Sequence, residues 1–217
     1  MIRVMLVDDH AVVRVGFRML LQAAPGGMEI IAEADSGEQA LAWLAESAHQ
    51  PERRPDVLLL DLSMPGMGGL EMLRRLRARD PELAVLVLSA HEDTAHARRV
   101  LAAGALGYLS KRSAPEALVQ AVTTVAAGQR YIEAALAQKL ALAQLGGEAN
   151  PVEALSEREF AVFVRLAKGE SVAAIAQQLS LSASTVGTHL YNVKQKLGAS
   201  NQAELTLIAL RWGVIEA

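Results

Sequence analysis

Asp56-Val57-Leu58-Leu59-Leu60-Asp61-Leu62-Ser63-Met64-Pro65-Gly66 constrains this chain more than any other stretch. Val57 to Leu60 are apolar without a break, an acid follows directly, and Pro65 and Gly66 close the run. A short apolar run bounded by breakers reads as a strand buried on both faces, as in a parallel sheet covered by helices. Asp61 then falls where that strand emerges at its carboxyl end, the edge at which open α/β sheets bind ligands. Ile2 to Val7 repeats the pattern and runs into Asp8-Asp9. With the two strands side by side, three carboxylates share one small volume. Like charges that close are costly unless a cation neutralises them, so the cluster predicts a hard divalent metal, Mg2+.

Strand and helix signals alternate through the first half. Helical spacing marks Ala11 to Leu21, a stretch opening at Asp35-Ser36-Gly37-Glu38, Gly69 to Ala78, Thr94 to Ala102 and Pro115 to Ala127. Strand signals mark Ile2 to Val7, Met28 to Ala34, Val57 to Leu60, Ala84 to Leu88 and Gly107 to Leu109. Five β-α units in series imply a doubly wound, parallel five-stranded α/β sheet with right-handed crossovers. Residues 128–150 read as a linker in which Ala134 to Leu145 allows a helix and Gly146-Gly147-Glu148-Ala149-Asn150-Pro151 breaks it. Residues 151–217 carry four helical patterns and no strand signal. Ser156 with Glu159 is a capping box for the first of them. Ser171 to Leu179 is a short second helix, Ser182 to Leu197 the third and Gln202 to Trp212 the fourth.

Composition narrows the function classes. There are no cysteines, which excludes disulfides, thiolate metal sites and cysteine nucleophiles, and suits a reducing cytoplasm. The longest apolar runs fall short of the roughly 20 residues that span a bilayer, so no membrane association is expected. Residues 1–127 hold 13 Lys/Arg against 16 Asp/Glu, and residues 151–217 hold 6 against 6. A neutral C-terminal segment is thin on charge for a nucleic-acid module.

Asp8-Asp9, Asp61, Met64-Pro65, Ser89 and Lys111 nevertheless resemble, in type, order and approximate spacing, the receiver domain of bacterial two-component response regulators. The resemblance covers roughly residues 1–127 and implies a flavodoxin-like fold. It makes Asp61 the phosphoacceptor. Asp8, Asp9 and the backbone carbonyl of Ser63 would join Asp61 around Mg2+, and Lys111 would be the charge partner of phosphate. Ser89 and Tyr108 become the switch: the Ser89 hydroxyl bonds the phosphate, its loop moves inward, and the Tyr108 ring rotates into the space vacated. His10 and His91 flank this edge without a partner at ligand spacing and read as bystanders. Receivers often place Pro after this Lys, giving a cis peptide; here Arg112 stands there, and no cis bond is expected.

Leu155-Ser156-Glu157-Arg158-Glu159, Gly169, Ile175-Ala176, Leu179, Ser184-Thr185-Val186, Thr188-His189 and Lys196-Leu197-Gly198 resemble the LuxR-type helix-turn-helix. Joined to a receiver, this is similar to the NarL/FixJ class. The combination implies a transcription regulator phosphorylated on Asp61 by a sensor histidine kinase, catalysing only its own phosphoryl transfer and dephosphorylation. The third C-terminal helix would enter the major groove of double-stranded promoter DNA. Its DNA face would be Ser184, Thr185, Gly187, Thr188, Tyr191, Asn192 and Lys194, with Val186, Leu190, Val193 and Leu197 facing inward. Members of the class usually carry Lys at the place of Gly187, and a mid-helix Gly costs about 1 kcal/mol against Ala. Few cations on one chain point to a homodimer, formed on phosphorylation, that doubles the contacts. One rival is an aspartate-nucleophile phosphohydrolase, which would usually place a second acid where this chain has Ser63; a second is a DNA binder whose receiver is vestigial and serves only for dimerisation, against which the complete acid, hydroxyl and Lys set argues.

Overall fold

The structure is a computed structural model that describes residues 1–90, 94–145 and 150–215. His91 and the expected breakers Gly146 to Ala149 lie outside the described residues. By its internal contacts the chain divides into two units, Met1–Glu92 with Val100–Ala137, and Asp93–Arg99 with Gln138–Ala217.

The first unit is a parallel sheet. Its strands are β1 (Ile2–Val7), β2 (Met28–Ala34), β3 (Val57–Asp61), β4 (Ala84–Ser89), β5 (Gly107–Ser110) and β6 (Tyr131–Ile132), in the spatial order β2-β1-β3-β4-β5-β6. The expected count of five strands is thereby corrected to six. Tyr131-Ile132 pairs Gly107 and Tyr108 in parallel, so the sheet runs past the expected boundary at residue 127. A two-residue strand has no periodicity to read, which is why it escapes sequence inspection.

Helices α1 (Ala11–Ala23), α2 (Gly37–Ser47), α3 (Gly69–Arg79), α4 (Thr94–Ala102) and α5 (Pro115–Ala126) follow the first five strands in turn. Residues alternate across a strand, so each buried strand supplies two faces. Val4, Leu6, Val57, Leu59, Leu86, Leu88 and Leu109 join Leu21 of α1 and Leu118, Ala121, Val122 and Val125 of α5 in one cluster. Their neighbours in sequence, Met5, Val7, Leu58, Leu60, Val85 and Val87, are equally buried on the other face. Burying a Leu or Val side chain contributes about 1.5–3 kcal/mol, so this double burial is what ties every strand end into register. The pairing Val7 with Leu60, and Asp61 with Leu88, sets the ends of β1, β3 and β4 side by side.

After α6 (Ala134–Leu145), the second unit contains α7 (Glu157–Ala167), α8 (Val172–Gln178), α9 (Ala183–Leu197) and α10 (Gln202–Arg211). Helices of 7 to 15 residues are marginal alone. Each of these four is started by a side chain that accepts from a backbone N–H three residues on: Ser156, Ser171, Ser182 and Asn201. One such cap stabilises by about 1 kcal/mol. At Ser156 the box is complete, because Glu159 also accepts from the Ser156 N–H at 2.7 Å. Phe160, Phe163, Val164, Val193, Leu205 and Ala209 form the core between α7, α9 and α10, while Val162, Leu166, Ile175 and Val186 pin α8 beside them. Ser180 turns the chain between α8 and α9 with φ of 53°, a left-handed conformation that glycine adopts at less cost.

Glu159 is buried and its carboxylate meets Lys196 Nζ at 2.6 Å. Burial alone would raise its pKa, but the bonds from Lys196 and Ser156 outweigh burial and hold it below the usual carboxylate value. A depressed folded-state pKa means stability that is complete above the unfolded pKa, about 4.3, and lost as pH falls through the folded one. Glu159→Gln, which can keep the bond to the Ser156 N–H but not the ion pair to Lys196, is therefore expected to lose about 0.2–1 kcal/mol at neutral pH. The deficit against the parent protein should shrink toward zero on acidification, as read by urea unfolding midpoints from neutral pH down through the carboxylate range.

Candidate phosphoacceptor and DNA-reading sites

Each acid arrives at the sheet edge by the same device. β1 ends at Val7, so Asp8 and Asp9 emerge beside Asp61, the last residue of β3, and Lys111 follows the end of β5. Asp8 is 3% exposed and Asp61 1%. Lys111 Nζ stands 2.6 Å from Asp8 Oδ2 and 2.9 Å from Asp61 Oδ2. Desolvation raises the Asp61 pKa, the Lys111 charge opposes it and the Asp8 charge adds to it, leaving the carboxyl above its ordinary value. Burial alone would lower Lys111, but its bonds and charge contacts with the two acids outweigh burial and keep it raised. The lysine is held as a cation.

The surrounding backbone completes the frame. The Ser63 N–H donates to Asp61 Oδ1 at 3.1 Å, the His10 N–H donates to Asp8 Oδ1 at 2.8 Å, and Arg14 donates to the Asp8 carbonyl. Gly69, opening α3, lies so close to the end of β3 that a Cβ there would sit 2.2 Å from the Asp61 carbonyl oxygen. Glycine is required there by close approach, and α3 is thereby seated against Asp61 at the end of β3.

Ser89 and Tyr108 are both buried, Ser89 at the end of β4 and Tyr108 within β5 at 1% exposure. The Ser89 carbonyl accepts from the Lys111 N–H at 2.8 Å, which links the β4 and β5 ends of the site. The peptide bonds of the described residues, Lys111–Arg112 included, are trans.

His10 is no bystander in space. Its Nδ1 lies 3.2 Å from Asp8 Oδ1 and 3.0 Å from Asp9 Oδ1. Asp8, Asp9, His10 and Asp61 each offer a ligand atom within 4.8 Å of the others. The signal for it was the unbroken Asp8-Asp9-His10 at a strand end. Asp9 Oδ1 and Asp61 Oδ2 are buried atoms, each with one nitrogen at ion-pair distance: His10 Nδ1 at 3.0 Å and Lys111 Nζ at 2.9 Å. Three carboxylates converging on one small desolvated volume fit a hard, oxygen-preferring divalent cation, as Mg2+ is.

In the second unit the expected DNA face divides. Ser184, Thr188 and Tyr191 are exposed, and Thr185, Gly187, Asn192 and Lys194 are half-buried. Val186 and Val193 are fully buried, and Leu190 and Leu197 pack against the same core, as the helical spacing requires. Lys194 Nζ donates to the Ser200 carbonyl at 3.0 Å, which turns it back toward its own domain. Gln195, one turn beyond Tyr191, is exposed on the same strip and went unremarked in the sequence.

A parallel sheet whose carboxyl edge gathers buried acids around one lysine, in a chain that also carries a capped helix-turn-helix, defines a signal receiver coupled to a DNA-binding module. Known proteins agree. Residues 4–123 match the response regulator receiver domain, and residues 153–209 match the LuxR family of bacterial regulatory proteins. Response regulator UvrY of Escherichia coli (strain K12) is 40% identical over 219 residues, which covers 100% of this chain and 97% of the relative. Response regulator GacA of Pseudomonas aeruginosa is 40% identical over 219 residues, covering 100% and 99%. Among solved structures, a LuxR-family two-component response regulator from Aurantimonas is 37% identical over 66% of this chain and 97% of its own, with a TM-score of 0.60. RcsB of Salmonella enterica serovar Typhimurium, bound to a promoter in the presence of a phosphomimetic, is 26% identical over 95% and 97%, with a TM-score of 0.62. The chain belongs to the response regulators with a LuxR-type DNA-binding domain, the phosphorylation-dependent transcription regulators of two-component systems. Among the described residues no helix is long and apolar enough to cross a membrane.

Two glycines give opposite expectations. Gly69→Ala should cost about 1–3 kcal/mol through overpacking against Asp61. Gly187→Ala, where an added Cβ meets nothing within 4 Å, should instead stabilise by about 1 kcal/mol through helix propensity. Urea midpoints of the two variants, measured side by side, check both.

Proposed function

We propose that Asp61 accepts a phosphoryl group from a sensor histidine kinase and that the resulting acyl phosphate controls binding of promoter DNA by α9. The observation that carries the reading is Lys111 standing within ion-pair distance of both Asp8 and Asp61, where three acids and His10 offer ligand atoms within 4.8 Å of one another. An Asp61 oxygen attacks phosphorus while the donor's P–N bond breaks, and the electron pair leaves with the imidazole nitrogen. The Ser63 N–H, bonded to the other Asp61 oxygen, holds the carboxylate plane in place for that attack. Lys111 then re-partners from Asp61 to the phosphoryl oxygens, where negative charge accumulates. Asp8, Asp9, Asp61 and the Ser63 carbonyl would hold Mg2+, which when bound screens the carboxylates from one another and withdraws charge from phosphoryl oxygens. Attack by water on the acyl phosphate returns Asp61 to a carboxylate, so the only reactions of the chain are those on itself.

Ser89 supplies a hydroxyl to the new phosphate at the β4 end, and Tyr108, buried in β5 opposite Val87, is the ring that repacks with it. In the second unit, α8 and α9 are joined by a turn of helix-turn-helix length, and α9 lies in the major groove with α8 across the backbone. Two copies on a two-fold site supply contacts that one neutral domain lacks. RcsB bound to promoter DNA lends support to this arrangement.

With acetyl phosphate as donor, Mg2+-dependent labelling should reach one phosphoryl group per chain and disappear in Asp61→Asn. Sedimentation should then shift from monomer to dimer on labelling, and promoter affinity should rise with it. Labelling that survives Asp61→Asn, or a sedimentation profile blind to the donor, defeats the reading.

A further inference from the structure

Helix α9 faces outward with a strip that carries no charge. Ser184, Thr188, Tyr191 and Gln195 recur every three or four residues and are exposed, with Gly187 beside them. Both lysines of the helix are engaged elsewhere: Lys194 with the Ser200 carbonyl, and Lys196 with the Glu159 carboxylate. The Thr188 hydroxyl donates to the Ser184 carbonyl one turn back, and the Ser184 hydroxyl lies 2.8 Å from that of Ser182. What remains prominent is the Tyr191 ring, 64% exposed in a domain that buries its other aromatics more fully.

Gly187 stands one turn before Tyr191. Its backbone is ordinary helix, an added Cβ would meet nothing within 4 Å, and no contact inside the chain calls for a glycine. Glycine there costs helix stability and returns nothing to the fold. Tyr191 follows Gly187 by four residues, so the two share one strip of the helix, with open space where a Cβ at Gly187 would stand.

We propose that Gly187 and Tyr191 together form the sequence-reading surface of α9, the tyrosine ring meeting apolar base edges such as thymine methyls while the missing side chain at Gly187 lets the duplex approach. Resting on the assignment of α9 as the DNA-reading helix, this gives the domain selectivity by contact and shape, with phosphate charge contributed from outside α9. Thymine presents its C5-methyl in the major groove, where an uncharged face can distinguish it from cytosine. A lysine in place of Gly187 would fill that gap and add one phosphate contact per bound chain.

The test uses the full chain, phosphorylated with acetyl phosphate and Mg2+, and a random duplex library. The duplex most enriched in selection is then compared with a scrambled duplex across a salt series. Tyr191→Ala should cut the preference for the selected duplex about tenfold or more, with the salt slope on scrambled DNA unchanged. Tyr191→Phe should keep most of the preference. Gly187→Lys should tighten binding to scrambled DNA, lower the preference and steepen the slope by about one per bound chain. A Tyr191→Ala protein that keeps its preference, or a phenylalanine variant as impaired as the alanine one, overturns the assignment. So does a lysine variant with an unaltered slope. Enrichment of no sequence by the parent protein would instead sink α9 as a DNA-reading helix, and this surface with it.

Discussion

The carboxyl edge of the sheet depends on one cation standing between two buried acids. Lys111 touches Asp8 and Asp61 together, and both carboxylates are almost wholly buried. Buried ion pairs rarely add net stability, because desolvation consumes most of what Coulomb attraction returns. Such an arrangement is better understood as a poised charge balance. Adding a doubly negative group at Asp61 must redistribute the partners of Lys111, and through the β4–β5 bond between Ser89 and Lys111 the adjacent strand ends are coupled to that change.

The two units solve the problem of positioning in different ways. In the first, burial on both faces of β1, β3 and β4 holds strand ends in register, and α3 is clamped to Asp61 by the absence of a side chain at Gly69. In the second, the helices are short and the core small, so local hydrogen bonding does more. Side-chain caps at Ser156, Ser171, Ser182 and Asn201 define where each helix starts, and hence which residues α9 turns outward.

The edge position of Asp61 was legible because a fully buried parallel strand is a continuous apolar run, and an acid that closes such a run has one place to be. The five long strands, the capping box and the inward Val186 and Val193 were legible for similar reasons of period and punctuation. Other features depend on three-dimensional approach and left little trace. Tyr131-Ile132 is too short to show alternation. His10 looked isolated because its partners are its own chain neighbours, brought round by the turn into α1 rather than set at a ligand spacing. Gly69 read as an ordinary helix start; only the packed end of β3 shows why no other residue fits. The inward turn of Lys194 was equally hidden, since helical spacing alone leaves its flexible stem free to point either way.

The sixth strand bears on solubility. An open sheet presents unpaired backbone groups along both margins, and a long flat margin invites another chain to add on. Beyond β5 the sheet offers only two paired residues before the chain leaves for α6. At the opposite margin, β2 carries an exposed Glu29, and its Glu33 is bonded to Arg14 and Arg18. These blunted margins leave little template for growth of the sheet from molecule to molecule.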